Sequence, residues 1–511
     1  MRSDSLKKRY FYKLSTNLIG FIINIATAGI VPRALGVKNY GNFNYVTTVF
    51  KQILSLLDLR TSMCFYTKFS QRQKENKLLI FYTYYVIFIL ILLVVTTYAI
   101  STTRLKVLLF SNIRSSIIYY AVIYVILYWV LGLLVKVMDA SGETVSLERM
   151  RIINKIISTF LILTLFFSNS LDLTIYFYYL YVTTLILIIA IFITLRRRKG
   201  YKIKLYPFIK KEIRNSYLKE FYTYSKPLAY YVVLAFVGTT FDRWILQKYG
   251  GSFEQGLYSF SFVLSNISFL FIRALIPLFT RELSVAAGES DLLKMAKLFR
   301  RYVPLLYAIT AYFSSFIFVE IENIIKLFGG TEYLNAKMTL SLLAYYPLVS
   351  TYSNLNGSLI YATGRTKIFL KLTLFFLPAG MILSFLLISN GHFGLNLGAT
   401  GLAIKELFIE FVSINIILFI NSRFLKIHFW KYVLHMLFSV IPFLVSAYSA
   451  KNIVIFLFGN FHFGSSIIVI FLLSGILYSF FTLLLTLLFP VIFGLNRNDL
   501  KNLKSKLSIF I

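Results

Sequence analysis

The side chains of this sequence best placed to do chemistry are charges and amides set inside long apolar stretches. Lys51 and Asp58 fall in the apolar segment at about 42–59, and Asn266 and Arg273 in the one at about 256–280. Each pair is seven residues apart, so on a helix both members share one face over two turns. Asn17, Gly20 and Asn24 share a face of the first apolar segment, and Asn354, Asn356 and Gly357 form a polar cluster further on. Lys405, Glu406 and Glu410 follow, with the two acids one turn apart, and Asp242-Arg243 approaches the end of another segment.

In a bilayer interior each such charge costs ~2.5–3.5 kcal/mol on insertion scales, so it faces a cavity or a partner. Lys51 and Arg273 are therefore candidates for holding an anionic group, with Asn17, Asn24, Asn266 and Asn354 as polar contacts beside them. Two carboxylates one turn apart repel when both are ionised, and a proton or Na⁺ relieves that repulsion. Glu406, Glu410 and Asp242 are accordingly the ion-coupling candidates. A plainer reading stands beside each of these. Lys51, Arg273 and Asp58 can snorkel to an interface. Asp242 and Arg243 can pair locally, Lys405 can neutralise one acid, and Asn17 and Asn24 can simply hold helices together.

Bond-making chemistry finds little support. The four histidines, His392, His428, His435 and His462, have no metal-ligand spacing, and neither GxSxG nor a P-loop occurs. The acids and bases expected outside the membrane (Asp172, Glu254, Glu332, His392) are scattered singly, which disfavours a polysaccharide polymerase or a polytopic glycosyltransferase. No metal or other cofactor is called for. Cys64 is the single cysteine, so no internal disulfide forms.

The elements that must position these residues are membrane spans. The 511 residues are 58% hydrophobic, 18% aromatic and 14% charged, more apolar surface than soluble cores of at most ~250–300 residues can hide. About fourteen apolar segments reach the ~20 residues needed to cross a bilayer, and the first, at about 14–31, reads as a retained span rather than a signal peptide. With the N-terminus inside, cytoplasmic segments carry about 40 of the 53 Lys and Arg, against about 9 in outer loops. Both termini are then cytoplasmic, and the net charge of +33 is a topology signal rather than a nucleic-acid-binding one. The basic stretch 196–226 reads as a linker on the anionic inner leaflet.

That linker falls after the sixth span, where an internal repeat becomes visible. Tyr40-Gly41-Asn42-Phe43 opens the second span and Gln255-Gly256-Leu257-Tyr258 the eighth, aligning Lys51 with Asn266 and Asp58 with Arg273. Six spans per half is an even number, so the halves share one orientation about an axis along the membrane normal.

Pro32-Arg33-Ala34-Leu35-Gly36-x3-Tyr40-Gly41-x-Phe43 resembles the opening of polysaccharide-repeat-unit flippases. These belong to the multidrug/oligosaccharidyl-lipid/polysaccharide exporter superfamily. Tyr224-Ser225-Lys226-Pro227, Leu327-Phe328-Gly329, Ala362-Thr363-Gly364-Arg365 and Gly398-Ala399-Thr400-Gly401 are similar to later motifs of that family, so the resemblance runs nearly the whole length. Asp139-Ala140-Ser141-Gly142-Glu143 matches only loosely. The resemblance implies an all-α fold: a six-helix bundle at 1–195, the linker at 196–226, a second bundle at 227–420, and two further helices with a tail at 421–511. It also implies alternating access across a central cavity in an inner membrane, and a polyprenyl-diphosphate-linked oligosaccharide as substrate. Membrane lipids, a polysaccharide polymerase and chain-length machinery are the partners it implies, for surface polysaccharides such as O-antigen or capsule. A multidrug exporter or a peptidoglycan-precursor flippase of the same superfamily is the alternative.

Overall fold

The structure, a computed structural model, describes residues 12, 15–16, 19–20, 23–25, 27–72, 75–199, 211–458 and 466–490, the side chains of 198–199, 270–271 and 273–274 excepted. The described residues are 89% helix, and no strand occurs among them. Eight helices there are long and apolar enough to cross a membrane, as expected of a multi-pass membrane protein, since a helix satisfies all its backbone polar groups within itself.

After the first helical residues, between 12 and 27, come α1 (Ile30–Asp58), α2 (Thr61–Gln71), α3 (Asn76–Thr102), α4 (Leu105–Leu109), α5 (Ser115–Ala140), α6 (Thr144–Phe167) and α7 (Leu173–Lys199). Next is the long α8 (Lys211–Ser265), a 3₁₀ turn (Asn266–Phe269), α9 (Leu270–Gly288), α10 (Leu292–Val319) and the short α11 (Ile321–Phe328). A second 3₁₀ turn (Thr331–Ala336) leads to α12 (Lys337–Ala362), α13 (Lys367–Ile388), α14 (Gly398–Leu425), α15 (Phe429–Phe438), α16 (Ile441–Phe458) and α17 (Ile467–Leu488). Helices α1, α8, α9, α12 and α14 fall outside the eight plainly apolar spans. They are also helices on which charged and amide candidates sit, because those same residues make them less apolar.

The chain divides into two compact units, Met1–Gly256 and Leu257–Ile511. The division lies about thirty residues beyond the basic stretch, and α8 begins inside that stretch, at Lys211. The first unit has a core of Cys64, Phe65, Phe69, Leu78, Tyr82, Met138 and Ile191, into which Tyr217 and Phe221 of α8 also pack. In the second, Phe299, Leu306 and Tyr307 of α10 meet Leu355 and Leu359 of α12 and Ile414 and Leu418 of α14. Helices α16 and α17 dock on the end of α10 through Val319, Ala447, Ala450 and Tyr478. There the fully buried Glu320 accepts from Ser474 at 3.0 Å and pairs with Lys451 at 3.6 Å.

Two glycines break otherwise continuous helices. Gly36 in α1 has φ 69° and Gly251 in α8 has φ 65°, a region closed to most side chains at the ψ values found here. Their separation along the chain equals that of Gly41 and Gly256, the glycines of the sequence repeat. Within the first unit the segments following these breaks cross reciprocally. A Cβ on Gly41 would lie 1.8 Å from the Ser252 carbonyl oxygen, and one on Gly256 2.2 Å from that of Val37. Val37 and Ser252 have the same separation again, so the contact maps onto itself under the repeat. Small residues let backbones approach this closely, which matters where lipid leaves helix packing to van der Waals contact. Ser252 also donates to the Asn42 side chain across the crossing.

Candidate functional site

In the first unit, Lys51 extends from α1 so that its ammonium lies 5.5 Å from the ring centroid of Tyr124 and 5.0 Å from that of Tyr128, both on α5. The side chain is otherwise exposed, and no carboxylate lies within ion-pair distance among the described residues. Aromatic faces attract a cation by ~0.5–2 kcal/mol without cancelling its charge, so this lysine keeps its capacity for an anion.

Asp58 does something different. It is buried, and its carboxylate accepts from Thr61 Oγ1 at 2.9 Å, Ser62 N at 3.1 Å and Ser62 Oγ at 2.7 Å. Those bonds fix the left-handed turn at Leu59 and Arg60 and start α2, so Asp58 acts as a helix cap rather than a snorkelling charge. Lys136 Nζ donates to the same Ser62 hydroxyl at 2.7 Å.

Of the other first-unit candidates, Asn17 lies outside the described residues. Asn24 accepts a hydrogen bond from the Lys155 ammonium of α6. Asp242 is buried on α8, and its neighbour Arg243 donates to Gln255 Oε1 at 3.1 Å. Gln255 returns a 2.6 Å bond to the Arg243 carbonyl, bridging the Gly251 break.

In the second unit, the acids of α14 do come together with their lysine. Lys405 is buried and contacts Glu406 Oε1 at 3.3 Å. Gly380 of α13 makes room for it, since a Cβ there would lie 3.1 Å from Lys405 Cε. Glu410, one turn on, meets Ser353 of α12 and lies within electrostatic reach of both Glu406 and Lys405. Asn354 is exposed and donates to the Ser350 carbonyl at 2.7 Å, and Asn266 bonds back to the Phe262 carbonyl at 2.7 Å. Arg273 lies on α9, and its side chain is outside the described set.

Some polar residues escape a reading of the sequence. Starting the fifth span at residue 152 places Arg151 at its cytoplasmic edge and Lys155 close to it. In the structure α6 starts at Thr144, which brings Lys155 to the middle of the helix. The i, i+4 spacing of the two cations was the available signal. The motif residue Arg365 stacks 3.9 Å over Phe424 and donates to Asn421 Oδ1 at 2.8 Å, while Asn421 bonds Asn356 Oδ1 at 3.0 Å. Asn356 is thus a tie between α12 and α14. No cluster of His, Cys, Asp and Glu suited to a metal ion occurs among the described residues.

Neither a protein-family model nor a curated protein matches the sequence. Solved structures do match the fold. An inward-facing multidrug resistance MATE family transporter of the MOP superfamily aligns at TM-score 0.56 and 15% identity, over 80% of this chain and 94% of that one. The lipid II flippase MurJ, in an inward closed conformation, aligns at 0.58 and 15% identity, over 94% of this chain and 98% of that one. The fold is thus shared with a solved multidrug resistance transporter and a solved flippase.

Proposed function

We propose that this chain carries polyprenyl-diphosphate-linked oligosaccharide from the cytoplasmic to the outer leaflet by alternating access, for assembly of a surface polysaccharide. The observation that carries the reading is Lys51, a cation within a span, set on tyrosines and without a counter-ion among the described residues. A diphosphate sugar head is anionic and bulky, and a charge-assisted contact replaces part of its lost hydration while its tail stays in lipid. The extent of the fold agrees. The MATE alignment leaves a fifth of this chain uncovered, whereas the alignment with a flippase of a lipid-linked precursor spans nearly all of it. A multidrug exporter of cations gains nothing from an unpaired lysine.

Both termini are placed in the cytoplasm by the basic-residue bias, so an impermeant thiol reagent should fail to label cysteines added near either end in intact cells. Glu406 and Glu410 are the proposed coupling groups. An ion held differently in the two access states would bias their equilibrium, since only differential affinity shifts it.

The test is outward movement of a fluorescent polyprenyl-diphosphate oligosaccharide in reconstituted vesicles. Lys51→Glu should abolish movement and Lys51→Arg should retain most of it. Full activity in Lys51→Glu would overturn the reading.

A further inference from the structure

The first unit has an open-sided cavity of about 240 Å³, in which Thr16, Arg151, Asn154 and Lys155 stand beside the apolar Ile19 and Ile152. Lys155 is the twelfth of the 24 residues of α6, so at ~1.5 Å per residue it lies ~16 Å from the helix start, one turn into the apolar stretch that follows Arg151. A charge set into an apolar stretch is expected to face a cavity or a partner.

Arg151 and Lys155 are one turn apart and so share a face. Arg151 pairs with Glu148 at 2.9 Å, and Glu148 is buried to 1% exposure. Lys155 has no carboxylate within ion-pair distance among the described residues; its ammonium donates to the neutral Asn24. Two cations against one carboxylate leave the cavity one positive charge in excess. An ammonium has three donors, and Asn24 occupies one of them. Asn154 Oδ1 is buried without a hydrogen-bond partner. The space far exceeds the ~10–15 Å³ that one water needs.

We infer that this cavity is an anion site of the first unit, in which Lys155 and Arg151 hold one phosphate group of a lipid. It rests on the proposed function only for the source of that phosphate, the diphosphate of the carrier lipid. It adds a second phosphate contact to Lys51. The same chemistry could be supplied by the headgroup of an anionic phospholipid, and the test separates the two.

The protein is reconstituted into phosphatidylcholine nanodiscs and titrated calorimetrically with geranylgeranyl diphosphate, with geranylgeraniol as the uncharged control. Wild type should bind the diphosphate and not the alcohol. Lys155→Met should weaken binding at least tenfold and Lys155→Arg should restore it. Asn24→Asp keeps the lysine, supplies it with a counter-ion and so protects the fold; it should weaken binding as strongly. Replacing the bilayer with phosphatidylglycerol should leave the carrier's affinity nearly unchanged, whereas strong competition would give the site to phospholipid and overturn the assignment to the carrier. Wild-type affinity in both Lys155→Met and Asn24→Asp would overturn the site itself. If those variants bind normally while the protein still flips lipid-linked sugar, the anion site fails and the function stands. If binding behaves as expected and no lipid diphosphate is flipped, the function fails and the site stands.

Discussion

The crossing of Gly41 with the Gly251–Gly256 segment yields a sharp prediction. Gly41→Ala would set a methyl 1.8 Å from the Ser252 carbonyl oxygen and 2.8 Å from the Gly256 nitrogen. Both lie well inside the 3.4 Å at which ordinary contact begins. Both obstacles are backbone, so no rotamer change relieves the clash, and one helical segment must shift by more than an ångström. Overpacking of this kind costs ~1–3 kcal/mol, and a backbone obstacle puts it near ~3 kcal/mol. Alanine returns ~1 kcal/mol of helix propensity relative to glycine, for a net loss of ~2 kcal/mol. Gly132 on α5 is the control, because nothing lies within 4 Å of its added Cβ. Gly132→Ala should gain that ~1 kcal/mol, so the two variants should differ by ~3 kcal/mol. At ~2–4 °C per kcal/mol for a unit of this size, thermal unfolding in detergent should separate them by ~6–12 °C. Gly256→Ala should resemble Gly41→Ala, and the double variant should cost less than the sum, because one displacement relieves both clashes. A Gly41→Ala protein as stable as Gly132→Ala would refute the close crossing.

Other outcomes follow from the same contacts. Asp58→Ala removes the cap of α2 and should lower stability by ~0.5–2 kcal/mol, seen as earlier thermal unfolding. Lys451→Met leaves buried Glu320 with Ser474 and Asn323 as its side-chain partners among the described residues, and should cost ~3 kcal/mol, the low end for a broken buried pair; limited proteolysis should then cut first around α16 and α17. Glu220 of α8 bonds Lys68 at 2.8 Å and Arg72 at 2.9 Å. Burial raises its pKa, but those cations outweigh it and hold the carboxyl below its ordinary 4.5. A depressed folded pKa stabilises above the unfolded value and is lost as pH falls through the folded one. The stability advantage of wild type over Glu220→Gln should therefore be full near pH 6 and fade below about pH 4.5. In gradient-driven vesicle transport, Glu406→Gln and Glu410→Gln should alter the dependence on imposed pH or Na⁺; an unchanged dependence in both removes α14 from coupling.

What the sequence settled by itself follows from bilayer physics. Apolar runs of spanning length can only be helices where no water pairs with the backbone, so the all-helical, multi-pass character was legible residue by residue. The repeat was legible too, because the Gly-aromatic motifs at Gly41 and Gly256 recur in sequence. Their physical meaning was not. That two glycines near opposite ends of the first unit touch each other's backbones, and that Gly36 and Gly251 break their helices at matching points, depends on how segments distant in the chain cross. The same limit governed the charges. The sequence places Asp58 and Lys51 on one face of one helix, yet the structure makes Asp58 a buried cap and sets Lys51 on tyrosines of α5. That Lys155 sits mid-helix, facing Asn24 and a cavity, became visible only with α6 beginning at Thr144. A side chain's cost in a membrane depends on its depth and on the groups around it, and only tertiary structure decides those.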